Sequence, residues 1–307
     1  MRRYVCAGLL AVATAAFVVA CGSSPASPTP GTGGGGGNGG GGGGGGVVTN
    51  TPPTVKSVTA GETRVEVGTP VTLTAVVEDQ ETPVANLAYE WSAPNGTFSG
   101  TGAQVSWTPG TDAVTPGDFV VTLKVTERYT SGSSQLENTA TGTATVHVNN
   151  SPKELAELSL RFLSDFANSK ISPEKCVSEF STTSKTCADG KKDEFADVDD
   201  NRHDYEMMSS NLRNTGVSIA QNKLNATVHT FCSFTVKVIS SSPRDEYCEG
   251  GKKCPLGSTG TSTGDCWTTN VYEQGRWWLC ESHFTAAPGL NPLSTFVPTL
   301  FRRTGSR

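Results

Sequence analysis

From Val71 to Val77 the chain alternates with a period of two, placing Val71, Leu73, Ala75 and Val77 on one side and Thr72, Thr74 and Val76 on the other. The same period returns at Leu87, Tyr89 and Trp91, and again at Phe119, Val121, Leu123 and Val125. Successive side chains of a strand point to opposite faces, so each stretch predicts a half-buried β-strand with one core face. Gly68-Thr69-Pro70, Pro94-Asn95-Gly96, Pro109-Gly110 and Pro116-Gly117 supply turns between them, and Ala140 to Val148 a closing strand. Residues 53–149 are therefore expected to form an all-β sandwich.

The period changes at Asn149-Asn150-Ser151. Ser151 with Glu154 reads as a capping box with Pro152 at the first helical position, and Leu155, Leu158, Phe162, Leu163 and Phe166 fall on one helical face. Ser172-Pro173-Glu174 opens a shorter helix through about Phe180, and Asp200 to about Arg213 reads as a third. Strand periodicity then resumes. Val217 to Ala220 turns through Gln221-Asn222-Lys223 into a long strand whose Leu224, Ala226, Val228, Thr230, Cys232, Phe234 and Val236 share a face. Cys266 to Tyr272 and Arg276 to Phe284 form a hairpin about Glu273-Gln274-Gly275. Helices first and a curved antiparallel sheet afterwards is an α+β pattern, expected over residues 150–290, with 291–307 a C-terminal tail. The fold expected is multidomain, an all-β sandwich followed by a cone-shaped α+β domain.

Composition changes the picture at the N-terminus. Of the 35 Gly, 14 lie between Gly31 and Gly46, so residues 21–52 read as a flexible tether with hardly an apolar side chain to bury. Its reach is about 30 Å by chain statistics. No strand precedes the Gly runs and no helix follows them, which excludes a phosphate-binding loop. Residues 1–20, with Arg2 and Arg3 before an apolar run from Ala7 to Ala20, read as a signal peptide. The formal charge of -5, about -7 once Arg2 and Arg3 are removed, argues against nucleic acid as a partner.

Three resemblances sharpen these expectations. Val18-Val19-Ala20-Cys21 resembles the lipobox of bacterial lipoproteins, which implies cleavage before Cys21, acylation of that Cys and a lipid bilayer as partner. A signal peptide with an incidental Cys is the alternative. Gly22, rather than Asp, after the Cys implies an outer-membrane or surface location. The segments Leu87 to Ser92, Gly100-Thr101-Gly102, Val105-Ser106-Trp107 and Gly117 to Val125 resemble PKD and related Ig-like modules, which implies a spacer or adhesive role. Thr126-Glu127 stands where that family often carries Asp, and the module has no Cys pair. Val217 to Val236, Trp267 to Leu279 and His283 resemble the closing strands of the nuclear-transport-factor-2-like family, which includes ketosteroid isomerase and SnoaL-like polyketide cyclases. That resemblance implies a conical cavity between helix and sheet; the stretch from about Ser240 to Gly264 is longer than usual for it.

Candidate wall residues for such a cavity are Trp277, Leu279, Glu281 and His283, taken as one strand face, with His229 or Tyr272 from neighbouring strands. Plain core packing for Trp277 and a structural hydrogen bond for His283 compete with that role. A ketosteroid-isomerase-type site needs a carboxylate base and acidic donors in an apolar pocket, and no catalytic residue is assigned. The acids Asp193, Glu194, Asp197, Asp199, Asp200 and Asp204 read as a solvated face. Asp197 to Asn201 begins like a calcium loop, but Arg202 and Met208 stand where Gly and a bidentate Glu are needed, and Glu78, Asp79 and Glu81 read as a solvated loop. No metal or cofactor is expected, for neither CxxC nor HExxH occurs.

Of nine Cys, Cys6 leaves with the signal peptide and Cys21 carries lipid, leaving Cys176, Cys187, Cys232, Cys248, Cys254, Cys266 and Cys280. An exported chain with this clustering is expected to be disulfide-bonded with at least one thiol over. Cys248 with Cys254 and Cys176 with Cys187 are the pairs favoured by local loops, and one pair among Cys232, Cys266 and Cys280 is expected on the strands. The functional expectation is an envelope lipoprotein presenting a non-catalytic domain that binds a small apolar ligand or a protein or glycan partner. An anchored isomerase or cyclase acting on a ketone-like substrate is the alternative.

Overall fold

The computed structural model describes residues 50–187, 189–241 and 255–287. The expected signal peptide, Cys21, nearly all of the expected tether, Cys248, Cys254 and residues 291–307 lie outside the described residues. The described chain is mostly β, arranged as three four-stranded sheets with helices against one of them.

Eight strands run from Thr54 to Asn149: β1 (Thr54–Ala60), β2 (Arg64–Glu66), β3 (Val71–Glu78), β4 (Ala88–Ser92), β5 (Thr97–Ser99), β6 (Gln104–Thr108), β7 (Gly117–Ser131) and β8 (Ser134–Asn149). They form two sheets, ordered β1-β3-β6-β5 and β2-β8-β7-β4. The two share a core in which Val71, Leu73, Val105 and Trp107 of the first meet Val121, Val146 and Val148 of the second. Period-two alternation put these residues on inward faces, and burying each fully contributes roughly 1.5–3 kcal/mol. β8 starts six residues before the expected Ala140, because Gln135 to Thr139 pair residue by residue with β7 as a ribbon that carries no core face for hydrophobicity to mark. Glu127, in the departure from the PKD pattern, is fully buried. It accepts Asn50 Nδ2 and Thr82 Oγ1 at 2.6 Å each and Asn138 Nδ2 at 3.2 Å, so its desolvation is offset by three donors.

The second half contains α1 (Ser151–Phe166), α2 (Pro173–Cys176), a 3-10 turn at Lys185–Cys187, α3 (Gly190–Asp204) and strands β9 (Tyr205–Ile219), β10 (Asn225–Val238), β11 (Thr259–Glu273) and β12 (Arg276–Ala286). The strands form an antiparallel meander ordered β12-β11-β10-β9. The apolar stripe of α1, Leu155, Leu158, Phe162, Leu163 and Phe166, covers one face of it together with Phe180. It packs against Val228, Cys232, Phe234 and Val236 of β10 and Trp277 and Leu279 of β12. Phe162 meets Phe180 edge-on at 5.1 Å and Phe166 meets Phe234 at 5.7 Å, so aromatic rings fill the space between helix and sheet.

Three expectations need correction. The cap of α1 is Asn150, whose Oδ1 accepts Lys153 N at 3.4 Å while Glu154 accepts Asn150 N at 2.7 Å. The capping box is shifted by one residue, and Ser151 lies inside the helix. The short helix opening at Ser172 stops at Cys176, and Phe180 instead bridges to Leu279 along the edge of β12. The third helix spans Gly190–Asp204 rather than starting at Asp200, and residues 205 to 213 are strand. That strand is polar along Ser209, Ser210 and Asn211 because it is a sheet edge, and pairing with β10 decides its conformation.

Arg64 joins the two halves. Its guanidinium donates to Asn149 Oδ1 at 3.0 Å, to the Lys223 carbonyl at 2.8 Å and to Ser151 Oγ at 3.1 Å, and lies 3.3 Å from the centre of the Tyr272 ring. Glu66 accepts from Ser151 N and Oγ, Trp277 Nε1 donates to Ser151 Oγ at 2.9 Å, and Tyr272 donates to Asn149 Oδ1 at 2.9 Å. His147 bonds both Asp118 and the Gly275 carbonyl in the β11–β12 turn, where Gln274 and Gly275 have positive φ, as a two-residue hairpin requires.

Candidate functional site

The four wall residues expected on β12 do not share a face. β11 pairs Asn270 with Leu279 but Thr269 with Glu281, so Cys280 is an extra residue, a bulge that reverses the side to which later residues point. Trp277 and Leu279 are buried under α1. His283 stacks on Trp267 at 3.9 Å, and His229 lies beyond the same indole at 6.3 Å while bonding Asp265 at 2.7 Å. His229 alternates with the core residues Val228 and Thr230, so this His–Trp–His row lies on the sheet face away from α1. Tyr272 belongs to the junction with Arg64. The six residues are thus divided among a core, an outer face and a junction. Between α1 and the sheet lie the packed side chains of Phe162, Phe166 and Phe234.

The bulge has a covalent partner. Cys187 bonds Cys280 across 93 residues of sequence, and Cys232 bonds Cys266 between β10 and β11. The expected Cys176–Cys187 bond is not formed. Cys176 is a free, buried thiol held by the core, and burial pushes it up to about 12, so it is inert as a nucleophile at neutral pH. The first disulfide ties the 3-10 turn to the outer face of β12, where Val271 and Trp278 pack around it. α3 then starts against the same bulge, since a Cβ at Gly190 would collide with the Cys280 carbonyl oxygen.

Two adjoining cavities share Thr186 and Glu281. The first, about 330 Å³, lies over the outer face of the sheet and is lined by Thr186, Ser218, Asn225, Thr227 and Thr269 together with Ala220, Ala226, Val271, Cys280 and Glu281. Thr269 Oγ1 is buried without a hydrogen-bond partner among the described residues. The second, about 200 Å³, lies between the start of α3 and β12 and is lined by Glu194, Ser282, Glu281 and His283 with Lys185 and three aspartates. Here the acidic run departs from a solvated face. On α3 the buried positions are Glu194, Val198, Asn201 and Asp204, a helical spacing that turns two acids inward. Glu194 is 5 % exposed; Ser282 Oγ donates to Oε2, and Oε1 has no partner among the described residues. Burial raises the Glu194 carboxyl from 4.5 to about 8, with Asp197 and Asp193 adding to the rise and the Ser282 bond opposing it, so it is protonated at neutral pH. His283 Nε2 lies 3.3 Å from Glu281 Oε2.

Glu194 and Gly190 do not stand out in the sequence, because the buried face of α3 carries Glu194, Asn201 and Asp204 beside Val198 and makes no apolar stripe. Asp189-Gly190 followed by Glu194 and Val198 at helical spacing was the usable signal. Among the described residues no three His, Cys, Asp or Glu converge to hold a metal ion, and no helix is long and apolar enough to cross a membrane.

No family model matches this chain, and no curated protein is detectably similar to it in sequence. Three solved structures share limited likeness. The intermembrane-space region of the chloroplast protein ARC6 is 12% identical, over 43% of this chain and 97% of its own, at TM-score 0.27. A protein of unknown function from Mycobacterium tuberculosis is 10% identical, over 44% and 70%, at 0.28. A protein of unknown function with a cystatin-like fold from Nostoc punctiforme is 16% identical, over 46% and 94%, at 0.26. Likeness at this level carries no argument about function.

Proposed function

We propose that the chain is a lipoprotein of a bacterial cell envelope, anchored through acylated Cys21 at an outer membrane or cell surface. In this reading residues 53–149 are a PKD/Ig-like spacer that presents a nuclear-transport-factor-2-like domain, residues 150–290, which binds a small ligand without transforming it. Two disulfides support an oxidising compartment. The hydrogen bonds of Arg64 and Glu66 support a spacer that holds its partner domain in a set orientation.

The observation that carries the binding reading is the 330 Å³ cleft fixed beside the Cys187–Cys280 bond. Its lining sets hydroxyl and amide groups beside Ala220, Ala226 and Val271, which suits a small ligand with a polar edge and an apolar body, of the sugar or amino-acid kind. An isomerase reading would draw on Glu194, but enolate chemistry needs an ionised base facing an acidic donor. Glu194 is protonated at neutral pH and bonded to Ser282, and no tyrosine lines either cavity, which favours binding.

Two experiments test the proposal. Replacing Cys21 with Ser should release the protein from the membrane fraction or leave unprocessed precursor; a fully membrane-bound, normally processed variant defeats the anchor. For the cleft, a thermal-shift panel of monosaccharides and amino acids should stabilise the wild-type chain with at least one member and leave Thr227→Trp, whose indole fills the cleft, unmoved. A panel without effect on the wild type counts against the binding role.

A further inference from the structure

We propose that the cavity between the start of α3 and β12 is a second site, one that takes a small organic ammonium group with Glu194 as its counter-charge. The inference goes beyond the face cleft and does not rest on it.

Charge is the first reason. Asp189, Asp193, Asp197 and Glu281 line the cavity with Glu194, and Lys185 is the one lysine or arginine among its lining residues. A cluster of exposed acids would be no more than a solvated face, but Glu194 is buried, at 5 % exposed. Only one of its two oxygens is satisfied: Ser282 holds Oε2, and Oε1 lacks a donor among the described residues. A buried polar atom left unpaired costs about 1–3 kcal/mol, so a partner delivered to Oε1 is favoured over an empty site. An ammonium carries three donors and a full charge, and bonds between charged groups are stronger than neutral ones.

Size and spread select the organic cation over a metal ion. About 200 Å³ is far more than a bare ion fills, and among the described residues the acids are distributed around the space without three converging as ligands. A primary amine on a short chain, its head toward Glu194 and its tail toward the mouth beside Glu281, fits both facts.

Binding is linked to a proton. The groups facing Glu194 are Asp193 and Asp197 on its own helix, Ser282, Glu281 and His283 from β12, Lys185 and Asp189 from the segment before α3, and Cys176 from α2, itself near Arg202 and Asp165. Without ligand the carboxyl holds its proton. An incoming ammonium stabilises the carboxylate and expels that proton to solvent, so affinity rises with pH up to about 8 and levels off above it.

The test is titration calorimetry on the full chain in detergent with 1,4-diaminobutane, beside 1,4-butanediol and calcium chloride. One diamine is expected to bind per chain, tightening at least tenfold from pH 6.5 to 8.5, with a heat that depends on the buffer's ionisation enthalpy because a proton is released. Glu194→Gln has the shape and neutrality of the protonated acid, so it should fold normally and weaken the diamine at least tenfold; Asp193→Asn with Glu281→Gln should weaken it less. Thr227→Trp, which fills only the face cleft, should leave diamine binding unchanged. The inference is overturned if the diol binds as well as the diamine, if calcium binds at Glu194 in its place, if Glu194→Gln binds the diamine as the wild type does, or if the diamine does not bind at all.

Discussion

Glu194 and Glu127 are both buried carboxyl groups, and their surroundings set them apart. Glu127 accepts three hydrogen bonds that tie Asn50, Thr82 and Asn138 together. Glu127→Ala should destabilise the first half by about 2–4 kcal/mol, more than a typical surface change, because three donors lose their acceptor together. Chemical denaturation of the full chain, followed by the fluorescence of Trp91 and Trp107, would measure it; a loss below about 0.5 kcal/mol would contradict the bonding described. Glu194 has one donor and a carboxyl raised to about 8 from an ordinary 4.5. Its folded form therefore binds a proton more tightly than its unfolded form. The associated stability is fully present below about 4.5, declines as pH rises toward about 8, and is gone above that. Glu194→Gln should flatten stability across this window, and a pH series of melting temperatures identical to the wild type would refute the assignment.

At the scale of elements, the 3-10 turn and α3 depend on a covalent bond to β12. The Cys187–Cys280 bond closes 93 residues and the Cys232–Cys266 bond 34, so chain entropy makes each worth about 4 kcal/mol, the former slightly more. Cys187→Ser with Cys280→Ser should lower stability by that order and remove the wall common to both cavities. The Cys232–Cys266 pair, buried under α1, should leave the cavities formed when replaced by Ala at both positions. Hydrogen exchange would separate the outcomes: amides 185–200 should lose protection in the first variant and keep it in the second. The helices also show what periodicity reads well. The stripe of α1 was legible from Leu155 to Phe166 because a single apolar face meets the sheet there. α3 was not, for its buried face mixes Val198 with Glu194, Asn201 and Asp204, and no hydrophobic repeat marks it.

On the scale of the whole molecule, the junction couples two halves with different chemistry: the first without cysteines, the second with two disulfides. Arg64 reaches Asn149, Ser151, Lys223 and Tyr272 together, and the wild-type chain is expected to unfold in one transition. Arg64→Ala removes three hydrogen bonds and a cation–π contact, a loss of about 2–4 kcal/mol in coupling. Calorimetry should then resolve two transitions, of which reductant lowers only the second; a single transition in the variant would show that the halves are coupled elsewhere.

The sequence by itself determined the cores of β3, β4, β7, β10 and the β11–β12 hairpin and the first helix, because alternation and the 3.6-residue stripe record which side chains leave water, and it set apart the apolar start and the Gly-rich segment by composition alone. It also showed that cysteines concentrate in the second half. The partners of Cys187, Cys232, Cys266 and Cys280, the reversal of faces at the Cys280 bulge and the burial of Glu194 were decided only in three dimensions. A bulge is one residue of mismatch between two strands, a disulfide joins distant segments, and a buried acid is defined by what packs over it. Each is a relation between parts of the chain remote in sequence, and no local pattern of side chains encodes it.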